Sequence, residues 1–296
     1  MIDIAFNSNR SKGFTLIEIL IALSISSIVM VAIYQTFNSQ QKSYIIQEDV
    51  ATMQQGLRAS MFLLTNDIRM AGYDSQLSGN FGITDIRPRD IANVVDTGIT
   101  GNSCIEITED LNDNGLLIPA LSNPGERIQY SVYDFIAGDG NLDIARNSGN
   151  GRRLLAENIQ GFGLAFAFDD DFDGEIDTYT ATNPGATQHI IWAIDSSGSN
   201  ALDTNLDTNL DGVIDINDSP GGPGSNGIIG GTALAANVPI GRIRAVKIWL
   251  LAETDRTQPG FINTSTYIVG KYVITPNNNK RMRLLSTTIK CRNLGL

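Results

Sequence analysis

Two stretches of this chain space their carboxylates as an oxygen-bound cation requires. Asp169, Asp171, Asp173, Gly174, Ile176 and Asp177 fall at positions 1, 3, 5, 6, 8 and 9 of a loop of EF-hand type. Such a loop takes oxygens from positions 1, 3, 5 and 9, a backbone carbonyl from position 7 and a glycine at 6 for its sharp turn. The position 7 carbonyl would be that of Glu175, and position 12 is Thr180, so the bidentate carboxylate is missing. Asp207, Asn209, Asp211, Gly212, Ile214 and Asp215 repeat the spacing, with Val213 for the carbonyl and Asp218 at position 12. This second set is the fuller. Just before it, Asp203-Thr204-Asn205-Leu206 repeats as Asp207-Thr208-Asn209-Leu210, which could add ligands or let the site slip register. Hard oxygen donors of this kind select calcium. The same residue types also make ordinary turns, but four crowded carboxylates without a cation repel one another. We expect calcium as a structural cofactor that orders both loops, since no helix pair flanks them to act as a switch. A third run, Asp110 to Gly115, has Ile118 where an oxygen should be and reads as a turn.

The other unusual carboxylate is Glu18. From Phe14 to Tyr34 there are 21 residues with no other charge. At ~1.5 Å rise each, a helix of that length crosses the ~30 Å core of a bilayer. A charge inside such a segment costs about 2.5–3.5 kcal/mol to insert, so it is kept for a partner. An ordinary secretory signal has its small-residue cleavage site after the apolar core. Here the small residue, Gly13, precedes it, so a cut at that point would remove a polar leader and leave the helix in the protein.

The stretch Lys12-Gly13-Phe14-Thr15-Leu16-Ile17-Glu18 resembles the class III signal of type IV prepilins and type II secretion pseudopilins. The resemblance implies cleavage between Gly13 and Phe14 by a prepilin peptidase, N-methylation of Phe14, and a role for Glu18 in assembly. Arg10 and Lys12 favour a cytoplasmic leader with the rest of the chain outside.

Composition sets bounds on the remainder. The formal net charge is −11, the wrong sign for a generic phosphate-backbone binder, so no nucleic-acid partner is expected. Charged residues are 18% and glycines number 29, which fits a loop-rich β head rather than a helical bundle. Cys104 and Cys291 are an even pair, and in an exported protein they permit one disulfide, which we expect. The single histidine, His189, lies in an apolar β-like run and reads as a packed strand residue; Trp192 and Trp249 read as core. No nucleophile elbow, phosphate loop or paired His/Cys metal motif stands out, so the chain does not read as an enzyme.

The elements that must position these groups follow from periodicity. Ile46, Val50, Met53, Leu57, Met61, Leu64 and Ile68 recur every three or four residues, one apolar face of a helix. No proline interrupts Phe14 to Arg87, and Gly72 sits where a helix would end. One helix over 14–71 is therefore expected, membrane-spanning over 14–34 and about 85 Å long at the usual rise. Short β-type runs follow at Ser103–Thr108, Ile128–Phe135, Gly161–Phe168, His189–Ile194, Arg242–Glu253, Tyr267–Thr275 and Arg283–Lys290. Phe162, Leu164, Phe166 and Phe168 alternate and should share one face. Residues 195–239 are rich in Gly, Asn, Asp and Ser and read as an insertion outside the core.

The expected architecture is α+β: a leader over 1–13, the helix over 14–71, and a β-rich head over 72–296. The helix exit Arg69-Met70-Ala71-Gly72-Tyr73, the strand Arg244 to Ile248 and the closing segment Ser286–Leu294 are similar to those of PilW-type minor pilins, to which the J-type minor pseudopilins are related. That resemblance implies a type IV pilin fold and a minor pilin. Its partners would be major and minor pilins, prepilin peptidase and the inner-membrane assembly platform. Its place would be the inner membrane, head in the periplasm, and then an extracellular filament. Two alternatives stay open: a minor pseudopilin of a type II secretion system, and a calcium-dependent tip adhesin using 195–239.

Overall fold

The computed structural model describes residues 13–90, 92, 94, 102–117, 125–135, 141–179, 188–218 and 227–294. They fall into two units, one ending at Glu48 and one beginning at Asp49.

Helix α1 (Leu16–Met70) is 55 residues long, close to the expected 14–71. It ends where glycine allows it to end. Gly72 has φ +79°, the left-handed conformation of a C′ residue, and its N–H donates to the Thr108 carbonyl at 2.9 Å. The unit boundary lies inside this helix because its later turns belong to the head's core. Leu57, Met61, Leu64 and Ile68 are buried in one apolar cluster, with Met53 packed against it. From Met53 onward the stripe read from the sequence is thus the face the helix buries, while Ile46 and Val50 at its start are only half-buried.

The first sheet is antiparallel throughout: β1 (Ile83–Asp85), β2 (Cys104–Thr108), β3 (Arg127–Tyr133), β4 (Asp143–Asn147) and β5 (Arg152–Ala156), side by side in chain order. The chain then enters β6 (Ile159–Phe168), followed by β7 (Thr178–Tyr179), β8 (His189–Ile190), β9 (Ala193–Ile194), β10 (Ala201–Asn205), β11 (Thr232–Pro239), β12 (Ile243–Glu253), β13 (Tyr267–Val269), β14 (Tyr272–Ile274) and β15 (Met282–Lys290). The second sheet has the order β11-β10-β9-β6-β12-β15, with β13–β14 and β7–β8 as separate antiparallel pairs.

Its centre is buried on both faces. Phe162, Leu164, Phe166 and Phe168 of β6 point into the cluster that also holds the helix stripe, as their alternation requires. The intervening Ala165 and Ala167 belong to a second cluster with Trp192, Trp249 and Leu251. The hairpin β13–β14 contributes Val269 to that second cluster, and its backbone comes very close to β6. A Cβ placed on Gly163 would lie 2.5 Å from Val269 C and Gly270 N, so only glycine admits this contact.

The expected single strand Tyr267–Thr275 is therefore a hairpin turning at Gly270, and His189–Ile194 is broken into β8 and β9. The larger correction concerns 195–239. Residues 201–205 and 232–239 are not outside the core: they are strands at one end of the second sheet, and Leu202, Leu206, Ile229 and Val238 are buried. The Asn200 side chain accepts Ile86 N–H and donates to Thr84 O, both at 3.0 Å, tying the segment to the first sheet. The Gly-rich stretch 219–226 lies outside the described residues.

Candidate functional site

The N-terminal unit is built for an apolar surrounding. Every residue from Gly13 to Phe37 is exposed within it, and the helix is long and apolar enough to cross a membrane. Three hydroxyls in the run are satisfied within the helix. Ser24 donates to Leu20 O at 2.8 Å, Ser27 to Ser24 O at 2.8 Å and Thr36 to Ala32 O at 2.9 Å. Glu18 is not left bare either. Its Oε2 accepts the N–H of Thr15 at 2.8 Å and the hydroxyl of Thr15 at 2.9 Å, while Thr15 Oγ1 accepts Glu18 N–H at 3.3 Å. This is a reciprocal capping box. The Thr-x-x-Glu spacing ahead of an apolar run was its legible signal, and sequence reading passed over Thr15. Of the expected leader, only Gly13 lies within the described residues.

The two acidic loops differ in a way their sequences do not show. In the first, after β6, oxygens of Asp169, Asp171 and Asp173 converge within 4.8 Å of one another. Asp171 and Asp173 are exposed, whereas Asp169 is only 2% exposed. Asp169 Oδ1 has no hydrogen-bond partner, and Oδ2 lies 3.6 Å from Arg244 Nε. Gly174 has φ +87°, as position 6 needs. Asp177 caps the loop, its Oδ2 accepting Asp170 N–H at 3.0 Å. Burial, then the neighbouring Asp171, Asp170 and Asp169, hold its carboxyl above the ordinary range. Glu175 is exposed, and its N–H donates to Asp173 Oδ1 at 2.8 Å. Thr180 lies outside the described residues.

In the second loop the buried carboxylates are already answered. Asp207 accepts Asp211 N–H at 3.2 Å, Gly212 N–H at 2.7 Å and the hydroxyl of Tyr179. Asp218 accepts Thr208 N–H at 2.7 Å and Asp215 N–H at 2.8 Å. Asn209 and Asp211 are bonded to each other at 3.0 Å. Val213 and Asp215 stand at the loop surface, less buried than Asp207 and Asp218. No group of three acidic oxygens gathers there among the described residues. The sequence ranked this loop the fuller; convergence places the first ahead. Sequence reading also missed Arg244 and Tyr179, which come from distant strands.

His189 packs over this second loop, where a Cβ on Gly212 would strike its ring, and its ring lies 5.9 Å from that of Tyr179. Trp192 and Trp249 are buried as expected, with Lys247 Nζ 5.4 Å from one ring and 5.1 Å from the other. Burial pushes the Lys247 ammonium down, with Asp207 opposing. The third acidic run is a bend, as expected: Asp110 accepts Asn114 N–H at 3.1 Å and Gly115 N–H at 2.9 Å.

The expected disulfide is not formed. Cys104 and Cys291 are both free and buried. Cys104 opens β2 in the first sheet, whereas Cys291 follows β15 at the end of the second and packs in the cluster that also holds the helix stripe. Burial pushes both up to about 12.

Residues 8–34 match the prokaryotic N-terminal methylation motif. Residues 47–194, half of the chain, match the family described as prepilin peptidase-dependent protein B. The chain belongs to that family. It is a prepilin-peptidase-dependent, type IV pilin-like protein, and the two matches meet its structure where it divides: the methylation motif on the exposed apolar helix, the family match from the stripe through β9. Among solved structures the chain is similar to a type IV-like pilin from Thermus thermophilus, 11% identical, covering 81% of this chain and 97% of that one at a TM-score of 0.37. No match to a curated protein was found.

Proposed function

We propose that the protein is a minor pilin, an assembly subunit of a type IV pilus. Peptidase cleavage between Gly13 and Phe14 frees an amine on Phe14, which is then N-methylated. Before assembly the apolar half of α1 is solvated by lipid in the inner membrane, with the head in the periplasm. In the extracellular filament the same surface is buried among the helices of other major and minor pilins. The observation that carries the reading is the helix itself. Glu18 is the single charge in its exposed apolar half, and the same helix supplies Leu57 to Ile68 to the head's core. Such an element joins a filament-forming segment to a head along one continuous helix.

Glu18 would meet the Phe14 amine of a neighbouring subunit, a charge pair strengthened where water is excluded. Mass analysis after expression with and without prepilin peptidase checks the first step, the expected species starting at methylated Phe14. Subunit mass analysis of sheared pili then checks incorporation. Finding the chain instead in a secretion complex, with pili unchanged, would favour the pseudopilin. The adhesin reading now needs a narrower test, because removing all of 195–239 would strip β10 and β11 from the sheet.

A further inference from the structure

We propose that Asp169, Asp171 and Asp173 hold a calcium ion that locks the loop between β6 and β7, independently of how the chain assembles. A cluster of acids alone would not carry this. The second observation is Asp169 Oδ1, an acceptor on a side chain 2% exposed, with no donor. Buried carboxylate oxygens are ordinarily paired, because leaving one unanswered forfeits its hydration. Arg244 does not repair this: it approaches the other oxygen, Oδ2, and at 3.6 Å stays beyond good hydrogen-bond distance. A cation between the three converging carboxylates would supply the missing partner and cancel their repulsion.

The donor chemistry selects the ion. Six of the nine residues from Asp169 to Asp177 are acidic, and the segment has no histidine or cysteine. All-oxygen sites take hard cations. The spacing of the loop puts the Glu175 carbonyl and Asp177 at two further ligand positions, more protein ligands than magnesium, which keeps its water, accepts. The second loop lacks the corresponding orphan, since Asp207 and Asp218 accept donors on both oxygens.

The test uses the full chain in detergent, stripped with EDTA and titrated calorimetrically with calcium chloride and, separately, magnesium chloride. Three proteins are compared: wild type, Asp171→Asn/Asp173→Asn, and Asn209→Ala/Asp211→Asn in the second loop. Asp171 and Asp173 are exposed, so their double variant should melt in EDTA no lower than wild type. Wild type should bind calcium at least tenfold more tightly than magnesium. The first-loop variant should lose that site or bind roughly 100-fold more weakly, as expected when two charged ligands become neutral. The second-loop variant should retain it. Absence of calcium heat in wild type, or undiminished binding by the first-loop variant, would overturn the proposal.

Discussion

Glu18 and Thr15 cap the first turn of α1 together: the carboxylate takes the Thr15 N–H at 2.8 Å, and the Thr15 hydroxyl takes the Glu18 N–H at 3.3 Å. The acid therefore has two separable duties, to close the helix start and to carry charge. Glu18→Gln keeps an acceptor for Thr15 N–H but removes the charge, whereas Glu18→Ala removes both. If pairing with a neighbouring amine governs assembly, both variants should be cleaved normally and both should be lost from sheared pili. If capping is the whole role, glutamine should restore incorporation.

The buried stripe gives a stability prediction. Leu64 has no exposed surface, while Phe62, two residues away on the same helix, is 66% exposed. Leu64→Ala should destabilise the head by about 2–5 kcal/mol, and Phe62→Ala by no more than about 0.5. Denaturant unfolding of the detergent-solubilised chain, followed by near-UV circular dichroism, reads both.

Gly163 predicts a backbone conflict. A methyl there would drive into Val269 and Gly270 of the neighbouring hairpin at 2.5 Å. Gly163→Ala should lower stability by about 1–3 kcal/mol, the usual range for overpacking. Gly241, whose Cβ would meet nothing within 4 Å, is the matched control and should tolerate alanine.

A pH dependence follows from Glu109. Burial, then the charge of Asp67, pushes its carboxyl up to about 7. Asp67 is itself held by the Tyr130 hydroxyl at 2.5 Å and Arg146 Nε at 2.7 Å. The folded state thus holds a proton that the unfolded chain has released above about pH 4.5, so this group's contribution to stability is full below that pH and is lost as pH rises through about 7. Glu109→Gln should gain on wild type across that window, by on the order of 2 kcal/mol at pH 8. Parallel melting profiles of the two proteins at pH 4 and pH 8 would expose an unchanged difference, which would refute the assignment.

The thiols can be counted. Cys104 and Cys291 are buried, and burial holds both in the unreactive thiol form. Native protein should react with neither equivalent of a thiol reagent at pH 8, and denatured, non-reduced protein should react with two. Fewer than two after denaturation would mean that the bridge forms after all.

Much of the fold was legible because some patterns are one-dimensional. The spacing from Met53 to Ile68 reports a helix face directly, and Phe162 to Phe168 report a strand face. Residues 201–205 and 232–239 were opaque for the opposite reason. Each offers few large apolar residues, and they become strands through the neighbours they pair with. The acidic loops were legible as spacing only. Which carboxylates are answered depends on Tyr179 and Arg244, which arrive from β7 and β12.

By itself the sequence determined the processing signal, the uninterrupted helix with the single acid in its apolar half, and the β character of the head, since each rests on residue order along one element. Only the tertiary structure decided that the thiols stay apart, that part of the supposed insertion is sheet, and that the first acidic loop has the unanswered oxygen. Those outcomes turn on which distant groups meet, and a local pattern does not encode the partner that folding brings to it.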